Sequence, residues 1–320
     1  MTSPIRPYNL TRQISVTDSF AQKSRTALRR DIASLSEQLS TGRRINRPSD
    51  DAAGFEQARQ LEAFNNEIQQ HKRSINASLR WVNTTQDTLD GIAERFSEAY
   101  ERGIQGANDT LNAGDREAIA DQLRSIKDTV LSELNTKIGD EYIFAGNATQ
   151  SEPFDPATGE PSAGADDYSQ IDGERTRFVG PGQKLKINMT GQEVHQVDAG
   201  PPSESIVDAL DGMIDALDPA TPFATPADQQ TAIQDALGNL EQARDHVVDR
   251  TAEAGTIARR LELADTRLDD MSLRTDARRS EIEDIDLAEA LTQLQSKQTS
   301  LQAALKVTAS VKQTSLIDFL

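Results

Sequence analysis

Leucines recur with heptad spacing near the C-terminal end of the chain, within a stretch from Thr256 to Leu320 that contains neither glycine nor proline. Since those two residues most readily interrupt helices, the pattern predicts one continuous helix over the stretch. The apolar seam is narrow, as on a coiled-coil face. The seam and its looser continuation comprise Leu287, Leu291, Leu294, Leu301, Leu305, Val311, Leu316 and Phe319. Such a helix, roughly 100 Å long, needs a partner along its length.

A second narrow seam lies near the N-terminus. A helix is predicted from about Thr17 to Thr41, with Gly42 as its C-terminal cap. Its seam residues are Leu28, Ile32, Leu35 and Leu39. Because each end carries a single apolar face, we expect the two ends to pack together, in either orientation. Arginines flank the first seam and carboxylates the second, which would set register more than stability.

Three further helical stretches are predicted on either side of the middle of the chain. A long helix runs from about Asp51 to Ile104, with Ser49 or Asp50 as its N-cap and Asp51 in its first turn. A shorter one carries apolar residues from Ile119 to Ile138, and the two form an αα-hairpin. A third begins at Ala227 and leads into the C-terminal stretch.

The middle of the chain has a different pattern. Nine of the eighteen glycines lie in residues 139–200, where no helical stripe is present. Short strands are predicted at Glu174 to Phe178 and Lys184 to Met189, around a Gly-Pro-Gly turn, with a third at Val194 to Val197. A short helix follows from Ile206 to Leu217, before a proline-rich linker.

These elements predict a mainly α protein with a β-containing insertion. A long coiled-coil-like helical rod is built from both chain ends, and the middle forms a small, acidic, β-rich domain. The expected parts are an N-terminal assembly helix, the N-terminal half of the rod, the middle domain with its linker, the C-terminal half of the rod, and a C-terminal assembly helix. Their bounds are 1–48, 49–138, 139–226, 227–280 and 281–320.

Composition and charge exclude several classes of protein. The chain has no cysteine, hence no disulfide framework or thiolate site. Residues 1–48 hold nine basic against three acidic residues, whereas residues 139–230 hold four against seventeen. This acidic middle argues against nucleic acid as a partner. No run is long and apolar enough to insert in a membrane, and the first residues lack a signal-peptide core. The chain is therefore expected to be cytoplasmic, or exported by a route that leaves no such mark.

No convergent set of catalytic residues is present. The three histidines lie in separate segments, and neither a nucleophile elbow, a phosphate loop nor a metal-ligand spacing occurs. The pair Asp50 and Asp51 is better explained by helix capping than by a metal or acid–base site. We therefore expect no enzymatic activity, no cofactor and no metal, and we expect the seams to serve association instead.

Two segments resemble signatures of a known family. Leu39-Ser-Thr-Gly-Arg-Arg-Ile-Asn-Arg-Pro-Ser-Asp-Asp-Ala-Ala-Gly resembles the N-terminal signature of bacterial flagellins. Ile282-Glu-Asp-Ile-Asp-Leu-Ala-Glu-Ala, with the closing Ser315-Leu-Ile-Asp-Phe-Leu320, resembles the matching C-terminal signature. Within that family, Gly139-Asp-Glu-Tyr-Ile-Phe-Ala-Gly-Asn-Ala-Thr-Gln-Ser-Glu-Pro-Phe154 is similar to a segment of the flagellin-like hook-associated members.

The resemblance implies a structural subunit of the extracellular flagellum that joins hook to filament. It implies association with other copies of itself and with neighbouring hook-associated and flagellin subunits. It also implies export through the flagellar type III apparatus, and a cytoplasmic chaperone on the C-terminal helix. Terminal segments of the family order on polymerisation. A filament flagellin and, from another class, a soluble coiled-coil signalling or scaffold protein remain open as alternatives.

Overall fold

The computed structural model describes residues 8–164, 167–197 and 204–317, with side chains from residue 19 to residue 309 in those ranges. Helices account for most of these residues, and the strands are short. In chain order the elements are α1 (Tyr8–Thr41), α2 (Ala52–Gly106), α3 (Ala113–Leu134), β1 (Lys137–Ile138), β2 (Glu141–Tyr142), β3 (Thr176–Gly180), β4 (Gln183–Lys186), α4 (Gly191–His195), α5 (Ile206–Leu217), α6 (Pro226–Glu283) and α7 (Leu287–Ile317). The mainly α class with a β-containing insertion is confirmed.

The chain divides into two compact units, and α2 and α6 each contribute to both. One unit, here called the terminal unit, comprises the chain up to Glu67 together with the chain from Ser272 onward. The other, the central unit, runs from Ile68 to Met271. The boundaries drawn from the sequence stay predictions.

The core of the central unit lies between helices. Helix α3 packs on α5, and Phe96, Leu123 and Leu210 are fully buried. At Gly103 of α2, an added Cβ would lie 2.8 Å from Met213 of α5 and 2.9 Å from Leu237 of α6, so both side chains would have to shift. The three helices therefore approach one another through a glycine.

The segment after α3 is anchored to that helix by one amide. Asn135 caps α3, and its side chain both donates to the Phe154 carbonyl (2.9 Å) and accepts from the Phe154 amide (3.2 Å). Ile143, Phe144 and Phe154 are buried. The segment from Gly139 to Phe154 therefore holds the insertion on the helices.

The insertion contains two antiparallel pairs, β1 with β2 and β3 with β4. The first two predicted strands correspond to β3, which has the expected length but lies two residues later in the chain, and to β4, which is two residues shorter than expected. The third, at Val194 to Val197, is wrong in its first half, because Gly191–His195 is a short helix with a reciprocal capping box between Thr190 and Glu193. In its second half, Gln196 forms an isolated antiparallel bridge with Ser205. This helix is held to α6, since the His246 Nε2–H donates to the Glu193 carbonyl (3.0 Å).

The continuous C-terminal helix predicted from Thr256 to Leu320 is also wrong. The helix is interrupted after Glu283, and α7 begins at Leu287. The carboxylate of Asp286 caps α7 by accepting from the amides of Ala288 (2.9 Å) and Glu289 (3.1 Å). A capping aspartate and tertiary hydrogen bonds thus end a helix that no glycine or proline interrupts.

Candidate assembly surface

The predicted pairing of the chain ends is confirmed within the terminal unit, where α1 packs along α7. Two contacts fix the orientation. Lys297 Nζ lies 2.7 Å from the Asp31 carboxylate, and Arg43 forms an antiparallel β-bridge with Asp284. Between these two contacts the residue number rises along α1 and falls along α7. The two helices are therefore antiparallel.

Each helix of this pair presents a single face to the other, marked by positions that are less exposed than their neighbours. On α1 these positions are Ala21, Arg25, Leu28, Ile32, Leu35 and Leu39. On α7 they are Ala290, Leu294, Lys297, Leu301, Ala304 and Thr308. Both sets alternate spacings of three and four, as coiled-coil faces do. The Asp31–Lys297 pair brings Leu28 to the level of Leu301 and Leu35 to that of Leu294.

The leucine seam of α7 is divided between two faces. Leu294 and Leu301 lie on the face toward α1 and are half-buried. Leu287, Leu291 and Leu305 are 56%, 55% and 41% exposed. The face toward α1 is completed by alanine, lysine and threonine rather than by leucine. Helix α1 therefore covers the less apolar side of the seam and leaves three leucines in solvent, which we call the outer leucines.

The other residues of the predicted seams fall in two groups. Leu28, Ile32, Leu35 and Leu39 all lie half-buried on the α1 face. Val311 and Leu316 belong to α7, but their side chains lie outside the described part of the chain, as does Phe319 entirely. Their predicted role in assembly stays a prediction.

Sequence reasoning missed three residues of this region. Ala290 is 3% exposed and Lys297 faces α1. Neither residue was recognised, because neither is a leucine of the heptad pattern. Their spacing of three or four from Leu294 and Leu301 is the signal that could have found them. Ile45, 2% exposed in the loop after α1, packs so tightly on Gly54 that an added Cβ there would lie 2.6 Å from its Cδ1.

The two breaks, after α1 and before α7, are hydrogen-bonded to each other. The Ile285 amide donates to the Gly42 carbonyl (3.1 Å), and the Arg44 amide donates to the Glu283 carbonyl (2.5 Å). The Arg44 guanidinium also donates to the Ile282 carbonyl (2.8 Å). Gly42 itself has φ of 72°, the left-handed conformation expected of its predicted role as a helix cap. We call this set of bonds the break clasp.

The adjacent aspartates of the loop have separate tasks. Asp51, and not Ser49 or Asp50, caps α2, since its carboxylate accepts from the Gly54 amide (2.9 Å). Asp50 instead accepts from the amides of Asn46 (3.0 Å) and Arg47 (2.9 Å) and thereby closes the loop. The capping residue was therefore misassigned by one or two positions, because the loop turns later than its proline indicated.

Within residues 8–164, 167–197 and 204–317, no helix is long and apolar enough to span a membrane. The same residues contain no cluster of three or more potential metal ligands.

Comparisons with known proteins agree with the resemblance seen at both chain ends. The model of the bacterial flagellin N-terminal helical region matches residues 15–149, and that of the C-terminal helical region matches residues 237–320. Flagellar hook-associated protein 3 of Escherichia coli is 29% identical over 287 residues, which cover 88% of this chain and 90% of the relative. The protein of the same name from Salmonella typhimurium is 28% identical over 289 residues, with the same coverage.

A solved structure supports the fold. The crystal structure of flagellar hook-associated protein-3 from Legionella pneumophila superposes with a TM-score of 0.61 at 15% identity, covering 70% of this chain and 98% of that one. The two family models together match more than half of the chain, one at each end and on the helices that pair. The chain belongs to the bacterial flagellin family.

Proposed function

We propose that this chain is a non-enzymatic structural subunit of the bacterial flagellum that joins the hook to the filament. It associates with other copies of itself and with neighbouring hook-associated and flagellin subunits. Similarity to hook-associated protein 3 over most of both chains supports the junction role over that of a filament flagellin. A soluble signalling or scaffold protein is disfavoured by the flagellin matches at both ends.

The observation that carries the proposal is the divided leucine seam of α7. Apolar side chains that stay exposed on a helix are stabilised when a neighbouring subunit covers them. Each leucine contributes about 1.5–3 kcal/mol when it is fully buried. The three outer leucines thus give the subunit an association surface that its own α1 does not cover.

Export and localisation belong to the same proposal. The subunit reaches the extracellular flagellum through the flagellar type III apparatus. Before export, a cytoplasmic chaperone covers the seam of α7, because an exposed leucine ridge invites premature association. Both statements rest on family membership and on the exposed leucines.

The double variant Leu287→Glu/Leu291→Glu tests the association surface. Both side chains are more than half exposed, so the change should leave the α1–α7 pairing intact while placing charge in the contact with the neighbour. We expect loss of filament attachment and motility with unchanged helix content by circular dichroism.

The matched control is Leu263→Glu, which introduces the same charge at a 68% exposed leucine of α6. A strain that carries this control variant should swim normally. Normal motility of the double variant would refute the role of the outer leucines. Long filaments grown from the purified wild-type subunit after seeding would instead identify a filament flagellin.

A further inference from the structure

Two connections join the α1–α7 pair to α2 and α6 in the terminal unit. One is the loop of residues 42–51 between α1 and α2, and the other is the break at residues 284–286 between α6 and α7. Packing against α1 fixes the outer leucines of α7 relative to α1 alone. Their direction relative to α2 and α6 therefore depends on how the two connections are held.

The break clasp holds the two connections together. Arg43 and Asp284 form an antiparallel bridge, and a backbone hydrogen bond of the clasp lies on each side of it. The two connections are thus paired like a short piece of antiparallel β-ladder. Ile45, which follows in the loop, is 2% exposed and packs on Gly54 of α2. The α1–α7 pair is therefore attached through one joint that is fixed to α2, and not through two independent links.

A single residue of the clasp, Arg44, is bonded to three helices. Its carbonyl accepts from the side-chain amide of Gln38 on α1 (2.8 Å). Its guanidinium donates to the Ile282 carbonyl of α6 (2.8 Å) and lies 3.6 Å from the carboxylate of Asp51, which caps α2. A guanidinium suits this place, because its rigid planar fork presents donors in two directions at once. Arg44 thus holds the ends of α1, α2 and α6 at one point.

The end of α6 requires donors of this kind. The last four carbonyls of a helix lack an intrahelical donor, and they carry a partial negative charge. Arg44 donates to two of them, through its amide to Glu283 and through its guanidinium to Ile282. Hydrogen bonds from a charged donor are stronger than those between neutral groups. Removal of this side chain therefore weakens the joint and leaves both packing faces of the α1–α7 pair unaltered.

The outer leucines follow the joint directly along α7. Leu287 is the first residue of α7 and lies two positions after Ile285, whose amide belongs to the clasp. Leu291 comes one turn later, and Leu305 about five turns after Leu287, so the three lie on one side of the helix. A direction that is set at the joint is therefore imposed on all three leucines.

We propose that Arg44 is a positioning residue of the association surface. By closing the break clasp, it sets the direction of the outer leucines relative to α2 and α6, and so aligns them with the neighbouring subunit. This role rests on the proposed function, in which the outer leucines contact that neighbour. Arg44 acts through α7 and makes no contact with the neighbour itself.

The variant Arg44→Ala tests the role in cells. Electron microscopy measures the fraction of isolated hooks that carry a filament. We expect a fall of about tenfold, as for the loss of one hydrogen bond from a charged donor. The matched control is Arg47→Ala, which removes another exposed arginine of the same loop, paired with Glu37, and should leave attachment normal. Normal attachment in Arg44→Ala would overturn the proposal.

A pairing reporter separates positioning from folding. The double variant Asp31→Cys/Lys297→Cys places two thiols where α1 contacts α7, in a chain that has no other cysteine. In the purified subunit, a short bismaleimide should join these thiols at the same rate, within about twofold, whether or not Arg44→Ala is added. A larger fall in the rate would show that Arg44 holds the pair together, and would overturn the positioning role.

A covalent clasp supplies the rescue. In an antiparallel bridge the two Cα atoms lie about 4.5–5.5 Å apart, which a disulfide can span. In Arg43→Cys/Arg44→Ala/Asp284→Cys, a disulfide therefore replaces the bonds of Arg44. We expect filament attachment to return in cells grown under oxidising conditions and to be absent in cells grown with dithiothreitol. Persistent loss of attachment in subunits that electrophoresis without reductant shows to be disulfide-bonded would refute the role of the clasp.

These outcomes are distinguishable from a failure of the proposed function. If Leu287→Glu/Leu291→Glu abolishes attachment and Arg44→Ala does not, the positioning role is overturned and the junction function stands. If the wild-type protein is absent from isolated flagella, the proposed function fails, and the role of Arg44 fails with it. If Arg44→Ala is missing from both the hooks and the culture medium, the defect lies in folding or export, and the positioning role is again overturned.

Discussion

The surroundings of Glu133 change the pKa of its carboxyl group. It lies in the last turn of α3 above Gly91, where an added Cβ would come within 3.2 Å of its Oε1. Its buried Oε2 accepts no hydrogen bond from the described residues. Burial raises the pKa of this carboxyl; the cation of Arg95 partly opposes the rise and the nearby Glu94 adds to it.

The raised pKa gives a prediction with a defined sign. The protonated carboxyl favours the folded state, so this contribution is complete below the ordinary value of 4.5 and is lost as pH rises through the folded pKa. Glu133→Gln should therefore raise the free energy of unfolding at pH 7 by about 0.5–1 kcal/mol, discounted because the group is only half-buried. Urea titrations between pH 4 and pH 8 measure it.

The control for Glu133 is Glu117→Gln, at an exposed position of the same helix. It should change the unfolding free energy by no more than about 0.5 kcal/mol at any pH. Equal pH profiles for Glu133→Gln and the wild type would show that the burial of this carboxyl has no energetic consequence.

At the residue scale, the four predicted seam residues of α1, and two of the five described seam leucines of α7, lie on the faces where the two helices meet. Leu28, Leu35, Leu294 and Leu301 face the partner helix as their spacing predicts. The spacing does not reveal that Leu287 and Leu291 are exposed. The covered face of α7 includes Lys297, which contacts Asp31 across 266 positions of the sequence. Such a contact has no local signal.

At the element scale, the two breaks in the helices illustrate what local pattern can and cannot predict. Gly42 and Pro48 predict the end of α1 from the sequence. Asp284-Ile285-Asp286 contains no such residue, and the second break is stabilised by hydrogen bonds from the break clasp and by capping. Helix propensities differ too little over these three residues to oppose that gain. The break was therefore missed for a physical reason.

The N-cap of α7 yields a prediction at this scale. Asp286→Ala removes the acceptor of two amide donors and should cost about 1 kcal/mol, which corresponds to roughly fivefold faster amide hydrogen exchange in the first turn of α7. Exchange followed by mass spectrometry over residues 287–293 measures the effect. Asp286→Asn keeps an accepting oxygen and should exchange nearly as the wild type does. Equal rates in the alanine variant would contradict the capping role.

For the whole molecule, the division into two units places the predicted assembly helices in one unit and most of the buried core in the other. Removal of residues 301–320 deletes Leu301, the outer leucine Leu305 and the end of α7, all of which belong to the terminal unit. The central unit, Ile68–Met271, keeps its own buried core. Fold class and the meeting of both chain ends followed from the sequence. The division into units did not, because α2 and α6 pass through both without a local break.

The truncation should therefore abolish filament attachment while the main calorimetric transition shifts by no more than about 2 °C, since a change of 1 kcal/mol moves a domain of this size by 2–4 °C. Electron microscopy of isolated hooks measures attachment. Attached filaments in the truncated strain would contradict the assembly role of α7. A loss of the main transition would show that the central unit depends on the terminal helices.

The antiparallel pairing of α1 with α7 has a consequence in time. A ribosome adds about 5–20 residues per second, so α7 is completed some tens of seconds after α1. Contacts between such distant positions also form slowly in a free chain, because the intervening loop must first be closed. During every round of synthesis the apolar face of α1 is therefore solvent-exposed for longer than any other part of the pair. Any factor that binds the nascent chain before α7 is synthesised would therefore have to bind this face of α1.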